Sequence, residues 1–294
     1  MALVDLHVHS TASDGTLPPR EIAADAVARG FAAVSLTDHD TMDGVGEFLA
    51  AASSCGESTT LFVPGIELSV EPGEGFDRFH LLGLGIDPAN AELGKFLVRI
   101  LEGRDERNRR MLENFRRIGI GDIAPEPVGE VLARPHFAKW LVEHGYAASP
   151  ADAFAKYLLP DSPPETGCYE ERYHPSPEEA FRIVHGAGGL CVMAHPKYLR
   201  RRWRFTGAEF DVAEREIARL KEAGLDGIEA VYQANSQAEN VGFSEIALRL
   251  GLLATAGSDF HGKNKPTIEM GMDVSDAFIA PFMERIAGSF VPRP

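Results

Sequence analysis

Cysteine is scarce in this chain. There are three in 294 residues, Cys55, Cys168 and Cys191, far apart and odd in number. No CxxC spacing occurs, which argues against a disulfide framework and against a thiolate zinc site. Long apolar runs are missing too; none approaches the roughly 18 residues that a membrane span needs. The opening "MALVDLHVHS" enters a strand at once, without the basic region and apolar run of a secretory leader, so the expected compartment is the cytoplasm. Positive charge is in deficit, since 29 Lys and Arg against 44 Asp and Glu leave a net −15. Such a chain repels long polyanions on average, which excludes a general nucleic-acid coater. A small or short anionic substrate is not excluded, because bound divalent cations reverse the local sign. Repeats and low-complexity segments are absent.

What is present is ordinary globular composition, 44% hydrophobic and 25% charged, at a length that suits one barrel-sized domain or two smaller ones. Residues 1–90 alternate: "LVDLHVHS" reads as a strand, "PPREIAADAVARG" as a helix, "FAAVSLTDHD" as a strand and "GVGEFLAAASSC" as a helix. "LFVPGIELSV" and "RFHLLGLGI" follow as strands joined by "EPGEGFD". Strand, helix, strand in series argues for a parallel sheet or barrel. Residues 91–165 change character. "AELGKFLVRILEGRDERNRRMLENFRRIGI" predicts one long helix, and "RPHFAKWLVEHG" and "SPADAFAKYLL" two short ones, so this stretch reads as an inserted helical subdomain. From 166 to 294 the alternation resumes with "SPEEAFRIVHGAGG", "LCVMAHP", "AEREIARLKEAG", "GIEAVYQ", "SEIALRLG" and "LLATAGSDFHG".

The histidines carry the chemistry. In "DLHVHSTASDG", alternation puts Leu6 and Val8 on one side of a strand and Asp5, His7 and His9 on the other. A half-exposed edge strand explains that, and so does a metal site at a strand end. Other predicted strands carry similar groups at or near their ends: Asp38, His39 and Asp40 in "TDHD", Glu67 in "GIELS", His80 in "FH", His195 in "AHP", Asp259 and His261 in "GSDFH". Each signal alone is weak, and His144, His174 and His185 read as structural or solvent-facing. The constellation is harder to explain as solvated surface, because the C-terminal ends of parallel barrel strands converge on one face. Nitrogen and oxygen donors without sulfur suit Zn²⁺, Mn²⁺ or Fe²⁺. Seven or eight donors exceed the needs of one ion. Two or three ions with a bridging carboxylate fit the chemistry of phosphate-ester hydrolysis.

These motifs resemble the PHP (polymerase and histidinol phosphatase) metal-dependent phosphoesterases. The likeness rests on "DLHVHSTASDGTLPP", "LTDHDTMDG", "GIELS", "HLLGLGID", "AHP" and "GSDFHG", and runs from residue 3 to about 262. It implies an α/β fold, a distorted seven-stranded β/α barrel with up to three divalent metals. By motif, one ion is held by His7, His9, Glu67 and Asp259, whose metal-bound hydroxide attacks phosphorus. A second shares Glu67 and adds His80 and His195, and a third takes Asp14, His39 and His261. The inserted helices and "RPHFAKWLVEHGY", "AFAKYL" and "PSPEEA" resemble a subgroup of nucleoside 3′,5′-bisphosphate phosphatases and exonucleases that trim short RNA from its 5′ end. The expected partners are therefore a small phosphorylated nucleotide or a short RNA, with no membrane, no long nucleic acid and no obligate protein partner.

Arg107, Arg134, His136 and Lys197 are candidates to read the rest of the substrate, with Arg104 and Arg110 as further arginines, because a guanidinium fork binds two phosphate oxygens. "EGRDERNRR" is equally read as a solvated face of i,i+4 ion pairs, and "YLRRRWRF" as an ordinary basic loop. Gly257 is expected to serve backbone geometry near the metals, and Cys191 to be a core residue. The segment "LPDSPPETGCYEERYHP" is longer and more acidic than the subgroup leads one to expect. Histidinol phosphate hydrolysis, amide hydrolysis and a non-catalytic metal-stabilised scaffold are the competing readings.

Overall fold

The computed structural model describes residues 1–54, 58–73, 78–126, 132–199 and 207–287. The chain divides into two compact units, Met1–Phe96 with His174–Pro294, and Leu97–Tyr173. Both divisions fall later than the expected 90/91 and 165/166.

The strands are β1 (Ala2–Val8), β2 (Ala33–Leu36), β3 (Leu61–Val70), β4 (Phe79–Leu84), β5 (Leu190–Met193), β6 (Gly227–Tyr232), β7 (Leu253–Gly257) and β8 (Met272–Val274). The helices are α1 (Pro19–Ala28), α2 (Val45–Ser54), α3 (Ala91–Arg117), α4 (Arg134–Glu143), α5 (Pro150–Ala153), α6 (Pro177–Gly186), α7 (Gly207–Ala223), α8 (Gln237–Leu250) and α9 (Asp276–Ile286). The eight strands form one sheet in the order β7-β6-β5-β4-β3-β2-β1-β8. Backbone bonds from His9 N–H to the Phe260 carbonyl and from Asp259 N–H to the His7 carbonyl draw the end of β1 to the segment after β7 and nearly close the barrel. The expected all-parallel barrel is corrected at β4, which runs antiparallel to both β3 and β5. The short β3–β4 connection leaves no room for a crossover helix, so the strand must return.

Local chemistry explains most boundaries. Pro19 opens α1, where its missing N–H costs nothing, and Gly30 at φ 70° stops the turn that follows. The Ser176 hydroxyl accepts the Glu179 N–H at the start of α6. Ser236 and Glu239 cap each other reciprocally, which starts α8 seven residues before the "SEIALRLG" that periodicity picks out.

β1 is buried on both sides rather than on one. Val4 and Leu6 join an apolar cluster with Ala33, Val63 and Phe282, whereas Val8 joins another with Ile22, Phe31 and Phe48. The pairing register shifts between Asp5 and Val8, which interrupts simple alternation. The edge-strand reading fails, since β1 pairs with β2 and β8, and His7 and His9 are fully buried.

Candidate metal centre

The closure of β1 against the segment after β7 sets four donors around one point. Glu67 Oε2 lies 3.2 Å from His7 Nε2 and 3.1 Å from His9 Nε2. Asp259 Oδ1 lies 3.6 and 3.5 Å from the same two nitrogens. Glu67 also gathers the next donors. His39 Nδ1 is 3.2 Å from Oε2, while His80 Nδ1 and His195 Nε2 are 2.8 and 3.1 Å from Oε1. His39 reaches this point because the chain beyond β2 stays paired with β3, with Asp40 N–H donating to the Glu67 carbonyl and Glu67 N–H to that of Asp38. Asp14 Oδ1 completes the set, 3.2 Å from His261 Nε2 and 3.6 Å from His9 Nδ1. His80 arrives by a route that parallel strands do not provide. It stands at the start of β4, and the reversed direction of β4 brings that start to the rim where other strands end.

The donor chemistry calls for cations. His261 Nδ1 sits 2.8 Å from the Asp259 carbonyl oxygen, which can only accept, so the ring proton is on Nδ1 and Nε2 offers a lone pair to the Asp14 carboxylate. Glu229 Oε1, 3.0 Å from His7 Nδ1, fixes the same tautomer there, and His7 Nε2 then faces His9 Nε2 at 3.1 Å. Acceptors facing acceptors in a buried site repel unless a positive charge, a metal ion or a second ring proton, lies between them. His9 Nδ1 and Glu67 Oε2 are buried and make no hydrogen bond. Burial opposes charge on His7, but Glu67, Glu229 and Asp259 outweigh it and raise its pKa well above the ordinary histidine value. Burial and the neighbouring His261 push His9 down to about 3, so it stays neutral, the form that ligates. Burial likewise opposes charge on Glu67, yet His39, His7 and His80 together hold it well below the usual carboxylate range.

A further layer orients these groups. Glu229 is fully buried, and its other oxygen accepts the His195 backbone N–H at 2.7 Å. Asp38 accepts the Ser10 N–H and both the Ser10 and Ser13 hydroxyls. Asp5 accepts from His7 N–H, Ser258 N–H and hydroxyl, and Gly271 N–H; burial pushes it up to about 6 against these bonds. Sequence reasoning missed Glu229, although a carboxylate inside the apolar strand "GIEAVY" was the available signal. Gly257 is needed for close approach rather than for an unusual backbone. A Cβ there would lie 2.2 Å from Glu229 Oε1 and 2.5 Å from His7 Cβ. Asp40, His195 and Asp259 are the non-glycine residues with positive φ among the described residues, at 57°, 29° and 60°.

A PHP domain model matches residues 5–117. The chain is 37% identical over 277 residues to a 3′,5′-nucleoside bisphosphate phosphatase of Chromobacterium violaceum, covering 92% of this chain and 91% of that one. It is 33% identical over 275 residues to the 5′-3′ exoribonuclease Rnm of Salmonella typhimurium, covering 92% and 88%. The chain belongs to the PHP family. It is a phosphoesterase, a hydrolase of phosphate esters. A solved structure of an amidohydrolase from Chromobacterium violaceum, with sulfate bound and no metal, superposes with TM-score 0.78 at 34% identity over 99% of this chain and 98% of that one.

Within this PHP chain the grouping of donors differs in detail from the motif-based expectation. At this rim the donor atoms lie together in three sets: His7, His9, Glu67 and Asp259; His9, Asp14, His39 and His261; and His39, Glu67 and His80. His9, His39 and Glu67 each stand in two sets. His195 approaches Glu67 Oε1 from the side of His80.

The residues expected to read substrate fall in two places. Lys197 lies in the barrel unit. Its ammonium donates to the Ala234 carbonyl at 2.6 Å and to Glu239 at 3.4 Å, so it braces the turn after β5 against the start of α8. Arg107, Arg134 and His136 lie in the helical unit, where α3 has two unlike faces. Arg109 and Arg110 pair with Glu106, and Arg109 also with Glu113, which is the solvated ion-pair face. Arg104 and Arg107 turn inward and are 8% and 4% exposed. Arg107 Nε and Nη2 are buried without a hydrogen-bond partner. Burial, then the like charges of Arg104, Arg172 and Arg134, lower its pKa to about 9. His136 Nδ1 accepts the Ala133 N–H, which leaves Nε2 as the N–H donor. The long segment before α6 supplies Tyr169, whose ring carries the Arg134 guanidinium at 5.5 Å, and Arg172 itself. "YLRRRWRF" lies almost wholly outside the described residues, as does Cys55; Tyr198 and Leu199 alone of that basic stretch are described.

Proposed function

We propose that this chain removes the 3′-phosphate of nucleoside 3′,5′-bisphosphates, releasing a nucleoside 5′-monophosphate and inorganic phosphate. The observation that carries this reading is a pair of unlike receptors. One is a cluster of eight imidazole and carboxylate donors, most of them buried, with His195 against Glu67. The other is the buried Arg107 guanidinium, whose strongest charged neighbours are the cations Arg104, Arg172 and Arg134. The first suits a phosphate to be cleaved, and the second, by its charge, a phosphate to be held. The activity named for the Chromobacterium violaceum relative supports it.

His7, His9, Glu67 and Asp259 would hold one ion, Glu67 with His80 and His195 another, and Asp14, His39 and His261 a third. Manganese, zinc or ferrous iron bound there would supply Lewis acidity and a water acidified toward neutral pH. In the net reaction a water oxygen bonds to phosphorus, the bond from phosphorus to O3′ breaks, and O3′ gains a proton. Arg107, Arg134 and the His136 Nε2–H take the 5′-phosphate, with Arg104 and Arg172 adding charge. Lys197 keeps the turn after β5 in place.

Cleavage of short 5′-phosphorylated RNA is the second reading, favoured by the Salmonella typhimurium relative. It breaks the same 3′ ester beside the same 5′-phosphate. The test is a manganese-loaded enzyme offered adenosine 3′,5′-bisphosphate and a 5′-phosphorylated RNA dinucleotide, beside His9→Ala. Faster phosphate release from the bisphosphate, abolished in the variant, is expected. Faster release of nucleotides from the RNA makes the second reading correct. Arg107→Met should raise KM for the bisphosphate by about tenfold or more with little change in kcat, because it removes a contact to the group that does not react.

A further inference from the structure

Asp259 gives its two oxygens to different surroundings. Oδ1 faces His7, His9 and His261 at 3.6, 3.5 and 3.4 Å. Oδ2 turns away and accepts from the Tyr232 hydroxyl at 3.0 Å and from Lys265 Nζ at 2.5 Å. The Asp259 side chain is 6% exposed, whereas Lys265 is 39% exposed. Lys265 lines an open cavity of about 450 Å³ whose walls include His39, Glu67, His80, His195 and Tyr232. It is the one lysine or arginine among the described residues of that wall. An ammonium has three N–H donors, and Asp259 takes one.

We propose that Lys265 is a specificity-determining residue that binds the phosphoryl group under attack and favours a dianionic phosphomonoester over a monoanionic diester. The inference rests on the reading that phosphate esters are cleaved at this donor cluster. Its physical basis is charge. A phosphomonoester carries one more negative charge at the reacting phosphorus than a diester does. An ammonium in the cavity wall favours the extra charge, and Asp259 occupies only one of its three N–H donors. Tyr232 contributes a neutral hydrogen bond to the same Asp259 oxygen and so isolates the positioning of Asp259 from the charge of Lys265.

Lys265→Gln, Lys265→Arg and Tyr232→Phe provide the test. Manganese stoichiometry is measured by elemental analysis, and binding of inorganic phosphate to each manganese-loaded protein by calorimetry. The ratio of kcat/KM for adenosine 3′,5′-bisphosphate to that for a 5′-phosphorylated RNA dinucleotide is measured alongside. Lys265→Gln should keep its manganese, bind phosphate about tenfold more weakly and lower the ratio by about fivefold to tenfold. Lys265→Arg should restore most of both, and Tyr232→Phe should leave the ratio where it was. Manganese lost in Lys265→Gln, with both rates falling equally, would overturn the proposal and make Lys265 a support for Asp259 alone. Unchanged phosphate affinity and ratio would overturn it as well. A wild-type protein that cleaves neither substrate sinks the functional reading, and the phosphate titration still decides the role of Lys265.

Discussion

Glu229 joins two members of the metal centre through one carboxylate, with Oε1 3.0 Å from His7 Nδ1 and Oε2 accepting the His195 backbone N–H at 2.7 Å. By holding a proton on Nδ1 it decides which nitrogen of His7 is free to ligate. Glu229→Gln keeps the shape and can present an amide N–H to His7 Nδ1, which reverses the tautomer. Manganese affinity should fall by about 10–100-fold, read by calorimetry on metal-free protein. An unchanged affinity would show that the ring orientation is set elsewhere.

Gly257→Ala tests the same relationship from the backbone side. The added methyl would sit 2.2 Å from Glu229 Oε1 and 2.5 Å from His7 Cβ, and neither is the far end of a flexible side chain in open space. Overpacking of this kind costs about 1–3 kcal/mol. A lower midpoint in urea and weaker manganese binding are expected together. A variant with native stability and native affinity would mean that β1 and β7 can move apart.

Removing metal should destabilise the barrel as well as silence it. The Glu67 and Asp259 carboxylates converge on the same buried nitrogens, with Asp14 beside His261, and bound cations relieve the repulsion between these like charges. An ion present at a hundred times its Kd adds about 2.7 kcal/mol. Chelator-treated protein should melt several degrees below the manganese-loaded form and recover on adding the ion back. A melting temperature that ignores the ion would argue that protons alone balance the cluster.

A pH-dependent stability effect is expected away from the site. His185 Nε2 lies 2.7 Å from Asp226 Oδ2, which also accepts the Cys191 N–H. The hydrogen bond to Asp226 raises His185 above the ordinary value of 6.5, against partial burial. A histidine raised on folding contributes in full below its unfolded value and loses the contribution as pH rises through the folded one. His185→Ala should therefore lower the melting temperature more at about pH 5.5 than at about pH 9. Equal losses at both would assign the effect to packing.

The sequence made the donor set legible because histidine is rare in apolar strands and six of the ten histidines lie in, or just after, such strands. It did not make the route legible at β4. His80 was expected at a strand end pointing one way, and it serves from a strand start pointing the other. The two faces of α3 were equally hidden, since Arg107 and Arg109 look alike in "EGRDERNRR" until packing turns one inward and leaves the other beside Glu106 and Glu113. Glu229 escaped because a lone glutamate in "GIEAVY" has no partner nearby in sequence. Its partners, His7 and His195, come from distant strands.

Three backbone conformations at the rim have a consequence for anyone who reshapes this protein. Asp40, His195 and Asp259 sit at positive φ, each at an expense of about 1–3 kcal/mol that the rest of the barrel absorbs. Glycine at any of the three would relax the turn, and at 195 or 259 it would delete a side chain of the candidate metal centre. Selection for heat tolerance alone would therefore drift toward a sturdier and emptier barrel. Selection for turnover would keep the mouth taut, so gains in robustness have to be sought in the outer helices and their caps.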